Sequence, residues 1–400
     1  MRTLNLKRII GNVMVRESHR ITERKSLFLV SIIVPIITFP LLGYIYYNHV
    51  VTDIPLAVAD ADHSRLSQTI IRSLSASRTI SINRYLNSFE EIQDAFRKGD
   101  IQGAIYIPDG LEKRVKSGRY GTVSVFENAS NLITGNLLLE ATLATTRTIS
   151  AGILVRKFSA MGFPTHQAME KTVPIRLNSH SLFNPGYNYE NFLVPGLLPA
   201  LLQMMVMLIA VLLVGVEFNE GSFAELYQIS GGSTTAILMG KFIPYILIFS
   251  ATVFGVIGIL FPVFGISVHG SVLVLIALFT YFFMAVFFVG LAISCVVHNP
   301  LFATEIAIFF STPAFIFSGY TFPLWGMPKI HAFYAQLLPS THFLSGYIKL
   351  YMMGSPVVYV TQDFLKLTVF LIPSIIFCYF YLKRETRSFN QAVVMPTEDK

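Results

Sequence analysis

Charge is scarce in this 400-residue chain: Asp, Glu, Lys and Arg together make up 13% of it, about half the roughly 25% of a soluble domain. With 53% hydrophobic and 13% aromatic side chains, that shortage excludes both an ordinary soluble protein and a disordered polymer. Cysteine is rarer still. Cys295 and Cys378 both lie in apolar runs, so no disulfide framework and no thiolate metal cage is available. Several catalytic patterns are missing as well. A phosphate-cradling loop needs G-x-x-x-x-G-K-[ST], and the nearest string, ending at Gly240-Lys241, has Thr235 in place of the first glycine and Phe242 in place of Ser/Thr. No H-E-x-x-H spacing and no G-x-S-x-G elbow occurs, so hydrolase and metalloenzyme readings lack support and the sequence calls for no cofactor.

Long apolar runs are present instead. A bilayer core of about 30 Å takes roughly 20 apolar residues as helix, because no water is there to satisfy backbone groups. Leu27 to Tyr47 carries no charge, and Pro35 and Pro40 should kink it. Phe192 to Val216, Phe242 to Val268, Ser271 to Val297, Leu301 to Phe322 and Phe364 to Leu382 follow. Glu305 is the one acid inside these runs, and Lys366 near an end can snorkel. The expectation is an α-helical polytopic membrane protein with six transmembrane helices.

The net charge of +7 is placed to orient those spans. Residues 1–25 hold Arg2, Lys7, Arg8, Arg16, Arg20, Arg24 and Lys25, whereas Asn48 to Asp62 holds no Lys or Arg. This asymmetry puts the amino terminus in the cytoplasm, and Lys383, Arg384 and Arg387 after the last run put the carboxyl terminus there too. A bacterial inner membrane location is expected, with the first run retained as a signal anchor, because bulky residues stand where a cleavage site needs small ones. In 48–190, 15 Lys/Arg face 13 Asp/Glu, so no nucleic-acid-binding stripe is indicated.

Residues 48–190 have soluble composition and room for one extracytoplasmic α/β domain between spans one and two. Ile54–Ala59, Ile80–Ile82, Gly103–Ile107 and Val123–Phe126 read as strands. Ser64, Asn87-Ser88 and Pro108-Asp109-Gly110 open helices between them, which predicts a small mixed sheet. From Asn131 to about Ala160 the pattern is continuously helical, with Leu138, Leu139, Leu143, Ile149 and Ile153 in one sector. That stripe fits either its own sheet or a partner.

Two surfaces on the inner side could receive work. Arg8, Asn12, Arg16, Arg20 and Arg24 recur every four residues beside an apolar patch of Leu6, Ile9, Ile10 and Val13, the pattern of an interfacial helix over 1–25. After span two, Glu217, Glu220 and Glu225 surround Gly221 in a compact acidic loop. Gln203, Met204 and Met207 in span two, with Glu305, are candidates for a substrate pathway. Interhelical or lipid-facing packing for the first three, and solvation at the headgroups for Glu305, are the alternatives.

The stretch Glu217 to Leu226, followed by Gly240-Lys241 and Pro244, resembles the acidic E-x-x-E-G-[TS]-x-E-x-L signature of type-2 ATP-binding-cassette (ABC) exporter permeases. Phe183-Asn184-Pro185 before Leu193-Val194-Pro195-Gly196 and the Val58 to Ser64 segment are similar to the same family. So is Ser318 to Pro323 with Met327-Pro328 and Leu338-Pro339-Ser340-Thr341. Phe218 and Asn219 depart from the family pattern, where a basic residue is common, and Ser222 stands where Thr is usual.

The resemblance implies a permease that pairs with a second permease subunit and is driven by separate cytoplasmic ATPase subunits. Glu217, Glu220, Gly221 and Glu225, with Arg16 and Arg20 of the interfacial helix, would receive their motion. It also implies domains at 1–25 (interfacial helix), 26–47 (first span), 48–190 (outer domain), 191–382 (spans two to six) and 383–400 (tail). The fourth of these carries a coupling loop at 217–241 and an outer re-entrant segment at 320–362. The expected activity is export of a hydrophobic or amphipathic substrate, with membrane lipid and a periplasmic adaptor as further partners. A non-transporting sensor or scaffold is the alternative. An ion-coupled carrier is disfavoured by the lack of intramembrane charge and of an inverted repeat.

Overall fold

The computed structural model describes residues 6–45, 51–172, 180, 182–184 and 189–394. Arg2, Tyr47, Pro185 and the end of the expected tail lie outside them. The chain divides into two units, Met1–Tyr47 with Glu190–Lys400, and Asn48–Tyr189.

The first unit begins with α1 (Leu6–Glu23), whose buried stripe is Ile9, Val13, Glu17 and Ile21. Arg24 interrupts the helix with φ −85° and ψ 103° before α2 (Lys25–Phe28). A π-helical turn over Leu29–Ile33 follows, then α3 (Val34–Ile45). The π turn lies just before Pro35, whose ring nitrogen cannot donate to the preceding turn, and Pro40 lies inside α3.

The second unit holds a four-stranded sheet in the order β2-β1-β3-β4. Its elements are β1 (Ile54–Asp60), α4 (Arg65–Ser75), β2 (Ile80–Leu86), α5 (Phe89–Lys98), β3 (Gly103–Ile107), α6 (Leu111–Lys116) and β4 (Ser124–Glu127). β1 pairs in parallel with β2 and β3, and β4 closes the edge antiparallel to β3. The chain steps from β1 to β2 and then back across β1 to β3, so right-handed crossovers put α4 and α5 on opposite faces. Leu56 and Val58 pack with Ile70, Ile71 and Leu74 of α4, while Ala57 and Ala59 pack with Ile92 and Ala95 of α5. Ser64 and Ser88 cap the two helices by accepting from Ser67 N–H and Glu91 N–H.

α7 (Leu132–Ala160) and α8 (Thr165–Thr172) complete the unit. The buried stripe of α7 differs from the sequence expectation. Leu138 is fully buried and Ile149 packs against the same core, but Leu139 and Leu143 are 37% and 42% exposed, and Leu137 is buried instead. The reason is local: a Cβ on Gly103 would lie 2.7 Å from the Leu138 methyls, so the sheet opens a slot for that side chain. The apolar arc of the helix is wider than the face the sheet covers.

Returning to the first unit, α9 (Tyr189–Ala210) unwinds before α10 (Gly215–Asn219), and α11 (Phe223–Ser230) precedes α12 (Thr234–Gly255). A π turn over Val256–Leu260 leads into α13 (Phe261–Val263). α14 (Val272–Val296), α15 (Pro300–Ser311) and α16 (Ala314–Phe317) follow, then α17 (Lys329–Gln336), α18 (Pro339–Tyr351) and α19 (Thr361–Val394). The segment expected to re-enter contains α17 and α18, and α18 is buried from Pro339 to Leu344, where Phe343 stacks on Phe282 of α14.

The third expected span starts eight residues early, at Thr234 rather than Phe242, because Ser233 caps α12 by accepting from Ala236 N–H. Gly240 and Lys241 therefore lie inside a helix and not in the loop expected over 217–241. Among the described residues, seven helices are long and apolar enough to cross a membrane. Six begin at Lys25, Phe192, Thr234, Val272, Pro300 and Thr361; the seventh is α7, whose mean hydropathy of 1.2 is the lowest of the set.

Candidate functional site

The site is built where α1, α10, α11 and α12 meet. α9 breaks over residues 211–214, and the Ser294 hydroxyl of α14 accepts from the freed N–H groups of Val214 (3.0 Å) and Gly215 (2.9 Å). A Cβ on Gly215 would lie 2.6 Å from the Val297 carbonyl oxygen, so only glycine lets α10 tuck in here. Gly221, at φ +73°, then turns the chain into α11. Gly240 faces Val13 so closely that a Cβ there would strike it. This approach brings Lys241 and Tyr245 against Glu17, which lies one turn after Val13.

Glu17, Glu217 and Lys241 are buried, at no more than 1% side-chain exposure. Lys241 Nζ donates to Glu217 Oε1 at 2.7 Å and to Glu17 Oε2 at 2.9 Å. Tyr245 Oη donates to Glu17 Oε1 at 3.0 Å. Arg16 grips Glu217 with both terminal nitrogens, at 2.8 and 3.0 Å, and reaches Glu225 Oε2 at 2.9 Å. Arg20 pairs with Glu217, Arg24 pairs with Glu220, and Ser222 Oγ donates to Glu217 Oε2 at 2.5 Å. Four acids thus meet four bases, and the Glu217 carboxylate is surrounded by donors.

Taking such charges out of water costs several kcal/mol per ion, which only multiple well-aligned hydrogen bonds offset. The rim pairs are another matter. Glu220 and Glu225 are 43% and 61% exposed, so their pairs contribute under about 1 kcal/mol each. Burial works against the charge on Arg16, but its bonds to Glu217 and Glu225 outweigh this and raise the pKa of the guanidinium above its ordinary value. Every carboxylate in the cluster is held by a cation, so none is free to act as a general base. The arrangement is an electrostatic joint between α1 and a pair of segments, the acidic loop and α12, about 200 residues further along the chain. Beside it lies an open groove of about 810 Å³, lined by Asn12, Arg16, His19 and Arg20 of α1 and by Glu225 and Gln228 of α11.

The structure therefore brings together Arg16, Arg20, Glu217, Glu220 and Glu225, with Gly221 supplying the turn. Glu17 and Tyr245 were not anticipated, and Lys241 stood out only as part of the family signature, not as a partner of these acids. Ile9, Val13 and Ile21 recur every four or eight residues with Glu17 in the gap, and that spacing was the available signal.

The four pathway candidates are not assembled in this way. Gln203 is fully buried, and neither of its amide atoms has a hydrogen-bond partner. Met207 packs at Gly290, where a Cβ would lie 2.9 Å from its sulfur, and Met204 is half-buried. Glu305 is exposed on α15 near the exposed Leu301 and Phe309, and no hydrogen bond or ion pair joins it to another described residue.

Apolar helices long enough to cross a bilayer, with an ion-paired joint where α1, α10, α11 and α12 meet, define a multi-pass membrane protein. Comparison gives the class a family. The model of the ABC-2 family transporter protein matches residues 25–381, and the chain belongs to that family. It is 22% identical over 366 residues to the Escherichia coli K12 "Probable multidrug ABC transporter permease YbhS", covering 90% of this chain and 92% of the relative. It is 24% identical over 328 residues to "Probable multidrug ABC transporter permease YbhR" of the same organism, covering 80% and 83%. The chain is a transmembrane permease subunit of an ABC exporter, a family in which ATP is hydrolysed by separate subunits.

Proposed function

We propose that the α1–α11 surface is where the partner ATPases act on this permease, and that the buried joint passes their motion to the spans. The observation that carries this reading is Arg16, which links Glu217 beneath the surface to Glu225 on it, so that α1, α10 and α11 move as one body. Coupling can shift the permease only as far as the ATP-bound partner prefers one arrangement. That preference must be exerted on exposed groups, and Glu220 and Glu225 are the exposed acids of the cluster.

In this reading the chain crosses the bacterial inner membrane six times with both termini in the cytoplasm, as the basic residues of 1–25 and 383–387 support. α7 is the helix that does not cross, because Leu137 and Leu138 are committed to the sheet core. The sheet unit then lies outside. A second permease subunit completes the pathway, and the cargo is hydrophobic or amphipathic, in keeping with the relatives' multidrug names and with walls so poor in charge. Gln203, Met204, Met207 and Glu305 stay candidates for that pathway.

The test is to co-purify the chain with its ATPase in lipid and to replace Glu220 and Glu225 together by lysine. Reduced assembly and reduced ATP turnover with an unchanged permease fold is the expected result. Unaltered assembly and turnover refutes the docking assignment.

A further inference from the structure

The first apolar span and α1 before it both lie along the third span, and a cleft opens between the two spans. At one end Glu17 of α1 meets Lys241 and Tyr245; at the other, Gly43 of α3 lies against the Phe264 ring so closely that a Cβ would strike it. Between these contacts lies a cavity of about 460 Å³, walled by Ser31, Pro35 and Phe39 on one side and by Ile248, Thr252 and Gly255 on the other. Both walls contain a π-helical turn, Leu29–Ile33 and Val256–Leu260. Such turns displace the helix face locally and recur at functional sites.

The side chains of the lining offer no free hydrogen-bond donor. Ser31 Oγ donates to the Leu27 carbonyl at 2.6 Å and Thr252 Oγ to the Ile248 carbonyl at 3.0 Å, so both hydroxyls are satisfied within their own helices. A lining otherwise made of Ile, Pro, Phe, Ala, Val, Leu and Gly suits hydrocarbon where it fills the cleft. At the α1 end, Lys25 opens α2 on the same continuous span; it is exposed and has no ion-pair partner among the described residues. A free cation at the membrane edge of an apolar cleft is complementary to an anionic headgroup.

We infer that the cleft between the first and third spans binds one acyl chain of an anionic phospholipid from the leaflet at the α1 end, with Lys25 at its phosphate. Ile248 lies one turn from Tyr245, so the bound chain rests directly above the ion-paired joint. The inference needs only the membrane-spanning class of the protein, and its test needs no ATPase.

The full-length chain is reconstituted in vesicles of phosphatidylethanolamine and phosphatidylglycerol. A trace of phosphatidylglycerol carries a photoreactive diazirine midway along one acyl chain, and labelled peptides are mapped. Label concentrated in 31–40 and 248–260 is expected. Gly255→Phe fills the cleft, since no atom lies within 4 Å of a Cβ built there, and Ala251→Phe does so from an exposed neighbouring position. Each should remove most of the label from those two segments and leave labelling around the exposed Val369 of α19 unchanged. Lys25→Gln should lower the labelling by phosphatidylglycerol about fivefold, the loss of one basic residue at a charged surface, while labelling by a phosphatidylcholine probe stays level. Uniform label over all spans, equal labelling of wild type and both phenylalanine variants, cross-links from the cleft to a second copy of the chain, or equal use of the two lipids by wild type would each overturn the assignment.

Discussion

Replacing Lys241 by methionine removes the cation at the centre of the joint while keeping its length. Its ammonium lies 2.7 Å from Glu217 and 2.9 Å from Glu17, and removing one partner from a buried ion pair costs about 3–5 kcal/mol. The two acids do not suffer equally. Glu217 keeps Arg16, Arg20 and Ser222, whereas Glu17 keeps only the Tyr245 hydroxyl and a longer approach from Arg20 at 3.8 Å. The loss should therefore fall near the lower bound, about 3 kcal/mol, and be centred on Glu17. Adding Glu17→Gln removes the stranded charge and preserves an acceptor for Tyr245, so the double variant should recover most of the loss. Exchanging the charges, Glu17→Lys with Lys241→Glu, should not recover it, because a carboxylate at 241 would face Glu217. Thermal unfolding of the purified permease, with proteolysis at α1 as a second readout, measures all three variants. A loss under about 1 kcal/mol for Lys241→Met, or equal recovery by the neutral and the exchanged pairs, would refute the reasoning.

Two further outcomes are expected. Ser294→Ala leaves the Val214 and Gly215 N–H groups without their acceptor, so about 2–3 kcal/mol should be lost in the same unfolding assay; a neutral result would show that another group caps the break. In the sheet unit, burial opposes ionisation of Asp62, but the Ser64 hydroxyl and the backbone N–H groups of Glu112, Leu111 and Gly110 outweigh it and lower its pKa below the usual aspartate value. The stability this contributes is present above the unfolded pKa of about 3.9 and is lost as pH falls through the folded one. Asp62→Asn should therefore lower amide protection in 54–127 at neutral pH, by under about 1 kcal/mol for a group only partly buried. The deficit should shrink on acidification; one that grew in acid would reverse the argument.

Much of the fold was legible because its signals are local. Unbroken apolar runs mark the long helices, and Ser64 and Ser88 announce α4 and α5 within a few residues of the positions they cap. The joint was half legible. Arg16 and Arg20 stand out on a basic ridge and Glu217, Glu220 and Glu225 in an acidic loop, but their pairing spans about half the chain. The pairing of Lys241 was hidden for a physical reason: a charge inside an apolar run reads as the end of the run unless its partners are known, and one of them, Glu17, is 224 residues away. The narrow buried stripe of α7 depends on the slot at Gly103, which no periodicity in α7 itself reveals.

The junction of α1 with the first span has one non-helical residue, Arg24, and Val13 and Gly240 leave no side chain's width between α1 and α12. Backbones in such contact cannot slide past one another without collision, and charges locked at Lys241 resist twisting apart. Under the proposed coupling, α1 acts as a lever welded to its beam, and a push on it would be felt by the third membrane helix.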